Sequence, residues 1–211
     1  MKIDDSKKIA ERLVDTFIET GKISMDLRAK GLKKEIKDDN TPVTNADIEI
    51  NNALIKKIKE LTPDVPIVSE ESSKNKHLDN LSNFWLIDPI DGTSDYINNK
   101  DEFTINAALI LNNVPMIGLI NAPAKKRLFY TYGKNFCFEI YNKKQIKLNC
   151  TKKTNKGHVK AVSYSNTLNP VISEIHKKLK VTEYVRMKSS LKFCVIATGE
   201  YDAYVADARA S

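Results

Sequence analysis

The sequence predicts an α+β protein made of layered helices and sheets. In the N-terminal third, apolar residues recur at helical spacing in two segments, while later apolar runs have the length of strands. Several of those runs are separated only by short turns, which is typical of an antiparallel meander. A chain that begins with helices and continues with strands and helices mixed favours layers of both kinds around one core.

The first two elements are predicted to be amphipathic helices. Residues 5–20 place Leu13 and Phe17 on one helix face, and a polar stretch follows at 30–40. A second helix is predicted at 44–61, and Pro63 ends it.

Strands dominate the middle of the chain. A short strand is predicted at 65–68 and a buried strand at 85–87, which ends at Asp88 because Pro89 has no amide hydrogen to donate to a ladder. The hairpin signal Asn112-Asn113 and a turn at Gly133 organise a four-stranded meander at 103–111, 115–121, 128–132 and 135–141. The last segment is predicted to form a strand at 160–164, a helix around 172–179, a helix at 190–198 and a strand at 201–206.

Composition excludes several classes of protein. The chain has 211 residues, of which 41% are hydrophobic and 29% are charged, as in a globular protein and unlike a disordered one. The mean hydropathy is −0.40, and no apolar run approaches the roughly 18 residues of a membrane span. The N-terminus lacks a signal peptide, and Cys137, Cys150 and Cys194 have no metal-ligand spacing, so we expect a cytoplasmic protein with buried, reduced thiols.

The net charge of +7 predicts an anionic ligand. Nucleic acid and a small phosphorylated substrate would both suit a basic protein, and charge alone does not choose between them. The lysines are spread along the chain, without a zinc-finger spacing, basic heptad or ribonucleoprotein motif. We therefore expect no nucleic-acid partner.

Two aspartates stand at the carboxyl end of the predicted strand 85–87. Asp88 and Asp91 are so close in sequence that they repel each other unless a cation compensates them. Their oxygens, with the backbone carbonyl of Ile90 between them, suit Mg²⁺. The alternative is an ordinary turn, because Asp, Pro, Gly and Thr are common turn residues.

The residues after Asp91 suit a phosphate. Gly92 lets the backbone approach a ligand closely, and Thr93 and Ser94 would open a helix whose first amides face an anion.

Two further acidic positions extend this pattern. Glu70 and Glu71 follow another predicted strand, and a third carboxylate near Asp88 and Asp91 would let two Mg²⁺ ions share ligands about 4 Å apart. Alternatively, the glutamates belong to a solvated loop.

Asp47 also has two interpretations. With Thr44 it fits a capping box at the start of the second helix, and capping alone would explain it. Otherwise Asp47 accepts a hydrogen bond from Thr93 and helps to activate a water.

Three segments together resemble the inositol monophosphatase superfamily in order and spacing. They are PVTNAD at 42–47, VSEES at 68–72 and WLIDPIDGT at 85–93. The resemblance covers the chain from the first helix to Ala206 and implies a layered αβαβα sandwich. It implies one unit with a metal-binding half at 1–145 and an incomplete half at 146–211, acting as a Mg²⁺-dependent, Li⁺-inhibited phosphatase.

Later segments are similar to the CysQ branch of that superfamily. These are EFTINAALI at 102–110, AP at 122–123 and SSLKFC at 189–194. Members of the branch are 3'(2'),5'-bisphosphate nucleotidases, which convert 3'-phosphoadenosine 5'-phosphate to AMP and phosphate in sulfur metabolism. The alternatives are an inositol monophosphatase or other sugar-phosphate phosphatase, and an inactive fragment that binds metal or nucleotide.

The resemblance implies roles for individual residues. Two or three Mg²⁺ ions would be held by Glu70, Asp88, the carbonyl of Ile90 and Asp91. The attacking water would be activated by Asp47 and Thr93, and the scissile phosphate would be held by Gly92, Thr93 and Ser94. The nucleotide would be contacted by Ser163, Asn166, Ser190 and Lys192. Ser163 as a strand-end hydroxyl and Lys192 as a surface lysine are the structural alternatives.

Two departures from the family pattern concern activity. Asn166 stands where the family often has histidine, so it cannot carry a positive charge. The chain stops at Ser211, before a Trp-Asp-x-Ala-Ala segment that supplies another metal ligand, and neither Asp202 nor Asp207 matches that position. The resemblance therefore implies impaired activity of the 211-residue chain. It also implies a homodimer and peripheral association with the inner membrane in some members.

Overall fold

A computed structural model of the protein describes residues 3–72, 81–149 and 157–206. The chain divides into a first unit, Met1–Lys147, and a second unit, Leu148–Ser211. Both units contain helices and strands, which confirms the predicted α+β class.

Two long helices pack against the sheet of the first unit. Helix α1 spans Ile3–Lys30 and helix α2 spans Asn45–Leu61. The predicted end of α1 at residue 20 is wrong, because Ile23 and Leu27 continue its apolar stripe and pack on the core. The predicted limits of α2 are confirmed to within one residue.

The polar stretch at 30–40 contains the first strand and the turn of a hairpin that the sequence analysis missed. Strand β1 (Lys34–Ile36) pairs antiparallel with strand β2 (Pro42–Thr44), which leads directly into α2. All three residues of β1 are exposed, so no alternation of apolar and polar residues marks it as a strand.

A seven-stranded sheet forms the body of the first unit. Its strands are β3 (Ile67–Ser69), β4 (Phe84–Asp91), β5 (Thr104–Leu111), β6 (Val114–Ala122), β7 (Arg127–Thr131), β8 (Cys137–Tyr141) and β9 (Lys144–Lys147). They lie in sequence order; β3 and β4 are parallel, and the other neighbours are antiparallel. The meander is confirmed, with the extra strand β9, and Asn112 and Asn113 form its first turn with φ of 52° and 61°.

The core of this unit lies between the sheet and the two long helices. Trp85, Ile105 and Leu109 are fully buried there, in one cluster with Leu13 and Leu54 of the helices. The indole Nε1 of Trp85 donates a hydrogen bond to the Thr62 hydroxyl at 2.9 Å, so its only polar atom is satisfied. This packing fixes β4, which carries the acidic motif, against the helical layer.

The predicted end of β4 at Asp88 is wrong. The strand continues through Pro89 to Asp91, and its pairing with β5 shifts register between Asp88 and Asp91. The missing amide hydrogen of Pro89 therefore falls at an irregularity of the ladder, where a regular strand partner is not needed. Helix α3 (Thr93–Ile97) follows at once, as the sequence predicts.

The second unit is a three-stranded parallel sheet with two helices. Its elements are β10 (Val159–Ser163), α4 (Pro170–Lys178), β11 (Val181–Arg186), α5 (Leu191–Ala197) and β12 (Ala203–Tyr204), and the strand order is β11-β10-β12. The sequence analysis missed β11, because four of its six residues are exposed and no alternation marks it. The predicted final strand at 201–206 is shorter in the structure.

The structure also bears on the predicted burial of the cysteines and on the predicted lack of a membrane span. Cys194 is buried and Cys137 only half-buried, while Cys150 lies outside the described residues. Across 3–72, 81–149 and 157–206, no helix has both the length and the apolar character needed to span a membrane.

Candidate active site

Asp47 is fixed at the first turn of α2 by a capping box. Its Oδ2 accepts hydrogen bonds from the Thr44 amide at 2.8 Å and from the Thr44 hydroxyl at 2.6 Å. The Thr44 hydroxyl oxygen accepts in turn from the amide of Ala46 at 3.2 Å. These bonds engage Oδ2 and leave the other carboxyl oxygen, Oδ1, for a different contact.

Thr93 lies between Asp47 and the carbonyl of Ile90. Its hydroxyl donates to the Ile90 carbonyl oxygen at 2.9 Å and lies 3.5 Å from Oδ1 of Asp47. A hydroxyl has one proton to donate, so it serves one of these acceptors at a time. The structure thus brings together the Asp47 and Thr93 side chains that the sequence analysis paired.

Burial controls the acidity of Asp47. The residue is 1% exposed, and this burial raises the pKa of its carboxyl, against the lowering effect of the two Thr44 hydrogen bonds; the charge of Glu71 raises it further. A carboxylate with a raised pKa is a better proton acceptor near neutral pH.

Glu70 and Asp88 are brought together by the parallel pairing of β3 with β4. Ser69 lies opposite Ile87, and the amide of Glu70 donates to the Ile87 carbonyl at 3.1 Å. Burial, with the negative charges of Glu70 and Asp91, raises the pKa of Asp88 to about 8. These three carboxyl groups therefore act on one another at the carboxyl end of β4.

The environment of Asp88 fits a cation. Its Oδ1 is buried and has no hydrogen-bond partner in the described structure, although a buried polar atom normally has one. A hard divalent cation would pair with that oxygen and offset the repulsion from Glu70 and Asp91. Among the described residues, no three acidic, histidine or cysteine side chains converge closely enough to enclose a metal by themselves. Further oxygen ligands, such as the Ile90 carbonyl, water and phosphate, would complete the coordination.

Lys37 is a site residue that the sequence analysis missed. Its ammonium group lies 2.7 Å from Oε1 of Glu71 and 3.4 Å from Oε1 of Glu70. The Glu71 side chain is only 5% exposed, so Lys37 supplies the charge that keeps it stable in the fold. Lys37 follows β1 in the exposed hairpin, and only recognition of that hairpin could have placed it opposite the glutamates.

The turn after Asp91 requires glycine. Gly92 has φ of 94°, and a Cβ at this position would approach the backbone oxygen of Glu102 to 3.0 Å. Thr93 and Ser94 then begin α3 on the side of the acidic residues, as the Thr93 contacts with Asp47 and Ile90 show.

Helix α3 is tied to α1 by two residues that the sequence analysis also missed. The Tyr96 hydroxyl donates to the carbonyl of Ser24 at 2.6 Å. Arg28 donates to the carbonyl of Lys100 at 2.8 Å, and its guanidinium lies 5.8 Å from the Tyr96 ring centre. These contacts hold the short helix that carries Thr93.

The other predicted substrate residues lie in the second unit. Ser163 ends β10 and pairs with Arg186 at the end of the parallel strand β11, so the loops after both strands leave from one sheet edge. Ser163 is fully buried, whereas Asn166 is exposed in the first of these loops. Ligands gather at such carboxyl edges in parallel sheets.

Ser190 and Lys192 follow β11 at this edge. Ser190 is the N-cap residue of α5, and Lys192 lies in its first turn. The Lys192 ammonium donates to the Ser189 carbonyl at 2.7 Å and lies 4.7 Å from the Phe193 ring centre and 5.7 Å from that of Tyr204.

The positive charge of the chain is concentrated in the second unit. Residues 148–211 contain 11 Lys and Arg against 5 Asp and Glu, a net charge of +6, and residues 1–147 contain 23 against 22, a net charge of +1. The second unit therefore offers the stronger field for an anion.

Comparisons with known proteins all indicate the same protein family. Residues 5–210 match the model of the inositol monophosphatase family. The 3'(2'),5'-bisphosphate nucleotidase CysQ of Buchnera aphidicola is 35% identical over 180 residues, which cover 83% of this chain. The chain spans 65% of the length of that relative.

Solved structures agree with this match. Over 92% of this chain and 78% of the other, the fold resembles CysQ from Bacteroides thetaiotaomicron, with a TM-score of 0.70 and 27% identity. It also resembles an IMPase/NADP phosphatase crystallised with Mg²⁺ and phosphate, with a TM-score of 0.77, 17% identity and coverage of 94% and 74%. The predicted inositol monophosphatase-type fold is therefore confirmed.

Proposed function

The chain belongs to the inositol monophosphatase family, and from this membership we propose that it is a Mg²⁺-dependent phosphatase of 3'-phosphoadenosine 5'-phosphate. The reaction would release phosphate and leave AMP. The observation that supports it most is the position of the Thr93 hydroxyl, between the Asp47 carboxylate and the Ile90 carbonyl. The sequence identity that the chain shares with CysQ nucleotidases of several bacteria supports this choice of substrate.

The proposed catalytic residues act on water. Asp47 would accept a proton from the attacking water, with Thr93 orienting that water through its hydroxyl group. The water oxygen forms a new bond to phosphorus as the bond from phosphorus to the 3' oxygen breaks, and the 3' oxygen gains a proton. The raised pKa of Asp47 suits this role, because it increases the affinity of the carboxylate for the proton.

The proposed cation ligands are Glu70, Asp88, the carbonyl of Ile90 and Asp91. When bound, Mg²⁺ supplies positive charge that stabilises the oxygens of the phosphoryl group during transfer. The predicted count of two or three ions is part of the proposal.

We infer that Gly92, Thr93 and Ser94 hold the phosphate that is removed. The rest of the nucleotide would be held by Ser163, Asn166, Ser190 and Lys192, with the ammonium of Lys192 suited to a second phosphate. The net charge of +6 on the second unit supports its assignment to a substrate with two phosphate groups.

A phosphate-release assay tests the proposal. We expect release from 3'-phosphoadenosine 5'-phosphate with Mg²⁺, no release with a chelator, and inhibition by Li⁺. Asp47→Asn should lower kcat by at least roughly 100-fold, because it removes the proton acceptor. Glu49→Gln is the matched control, since Glu49 lies on the same helix and is exposed. A higher kcat/KM for inositol 1-phosphate would reject this substrate, and an unaffected Asp47→Asn variant would reject the mechanism.

A further inference from the structure

Three buried oxygen atoms without a hydrogen-bond partner in the described structure belong to the paired strands β4 and β5. They are Oδ1 of Asp88, Oγ1 of Thr104 and Oδ1 of Asn106. In the antiparallel pairing of these strands, Asn106 lies opposite Asp88 and Thr104 lies opposite Asp91. Buried polar atoms in folded proteins are normally satisfied, so a cluster of exceptions indicates that a polar group or ion belongs there.

Asn106 lies directly opposite Asp88 in the pairing of β5 with β4. Directly paired residues in an antiparallel sheet point their side chains to the same face, with Cβ atoms roughly 5 Å apart. The Asn106 side chain lowers the pKa of the Asp88 carboxyl group, which is the effect of a donor that favours the charged form. The amide therefore acts as donor to Asp88, and its own oxygen is left in the same buried region.

Asn121, which is buried, shows what a purely structural role of an asparagine looks like. Asn121 lies on the neighbouring strand β6, and its amide nitrogen donates to the backbone carbonyl of Phe17 at 2.6 Å, tying the sheet to α1. The Asn121 bond joins two elements of the core. Asn106 instead lies opposite a proposed cation ligand on the neighbouring strand.

We propose that Asn106 is a positioning residue, which holds the Asp88 carboxylate in the orientation in which it binds a divalent cation. The inference rests on the proposed function for the presence of that cation. Partners that orient metal ligands fix the rotamer of the ligand, and their loss typically weakens metal binding by roughly 10- to 100-fold.

Two matched substitutions separate positioning from structure. Asn106→Leu and Asn121→Leu make the same chemical change on adjacent strands of the full chain. The dissociation constant of Mg²⁺, measured by calorimetry without substrate, should rise by roughly 10-fold or more in Asn106→Leu and stay unchanged in Asn121→Leu. The Tm of the metal-free protein should fall in Asn121→Leu, which leaves the Phe17 carbonyl without its donor, and hold in Asn106→Leu, which removes an unsatisfied amide oxygen.

Other results overturn the inference. A Mg²⁺ dissociation constant in Asn106→Leu within about twofold of wild type would do so, as would an equal loss of affinity in both variants. Should Asn106→Leu fail to fold, Asn106→Ala gives the same comparison without added bulk. If Asn106→Leu weakens Mg²⁺ binding as expected but the wild-type protein releases no phosphate from the nucleotide, the proposed function alone is rejected. Normal hydrolysis with unchanged Mg²⁺ affinity in the Asn106 variants would reject this inference alone.

Discussion

Replacing Asp88 with asparagine should stabilise the metal-free protein at alkaline pH. Burial and the charges of Glu70 and Asp91 raise the pKa of Asp88 from 3.8 to about 8 in the folded state. Between these two values the folded protein binds a proton that the unfolded chain has lost, so stability falls as pH rises through this window. Asp88→Asn keeps the shape of the protonated acid and has no charge to bury.

The magnitude follows from the width of the window. Each pH unit across which only the folded state holds the proton costs about 1.4 kcal/mol, so the rise from about pH 5 to about pH 8 should cost wild type about 4 kcal/mol. For a chain of this size, 1 kcal/mol corresponds to roughly 2–4 °C in Tm, which gives a difference of roughly 8–16 °C. The advantage of Asp88→Asn should therefore be small at acid pH and large at alkaline pH.

The assay is thermal unfolding in chelator across this pH range, for wild type and Asp88→Asn. Asp64→Asn is the control, because it makes the same change at an exposed aspartate. Added Mg²⁺ should restore wild type at alkaline pH and have a smaller effect on Asp88→Asn, since the cation offsets the buried charge. An Asp88→Asn variant no more stable than wild type at about pH 8 would refute the argument that burial of this carboxyl opposes its ionisation.

Three other substitutions test the arrangement around this carboxyl group. Thr44→Val removes the hydroxyl that caps α2 and holds Asp47; urea unfolding should show a loss of about 1 kcal/mol, and kcat should fall by roughly tenfold. Lys37→Met leaves the buried Glu71 without its cation, so the metal-free protein should lose about 2 kcal/mol in unfolding experiments, and less with Mg²⁺ present. Arg28→Met loosens the segment after α3, which should lower kcat/KM while the calorimetric Mg²⁺ affinity stays unchanged.

Each of these expectations has a contrary outcome. A stable Thr44→Val variant with normal kcat would mean that Asp47 is positioned by other contacts. A Lys37→Met loss that does not depend on Mg²⁺ would mean that the lysine has no electrostatic relation to the cation site. Weakened Mg²⁺ binding in Arg28→Met would mean that α3 and the carboxylates are not held independently.

The sequence predicted elements that carry an internal pattern. The periodic apolar residues of α2, and the strands on either side of Asn112-Asn113, were placed nearly as the structure has them. In each case the spacing of the apolar residues reflects the burial of one face of the helix or strand. The pairing of Asp47 with Thr93 came from the family resemblance, because 46 positions separate the two residues and the capping motif explains only Asp47.

The features that the sequence did not predict depend on tertiary contacts. Strands β1 and β11 are mostly exposed, so their hydrogen-bond partners rather than burial define them. The sequence predicts that β4 ends before Pro89, because a regular ladder needs an amide hydrogen that proline lacks. The register shift between Asp88 and Asp91 removes the need for that hydrogen bond. Nothing in the sequence separates Lys37 from the other lysines of the chain. Only the folded hairpin shows that it lies opposite Glu70 and Glu71.

The uneven charge of the two units has a kinetic consequence. A field from six net positive charges acts on an anion before any contact forms, and so changes the rate of association more than the lifetime of the complex. At physiological ionic strength, the reach of that field shrinks to about 8 Å. Capture of polyanionic ligands by the second unit should therefore be fastest in dilute buffer and slow steeply as salt is added, whereas a neutral ligand would be insensitive.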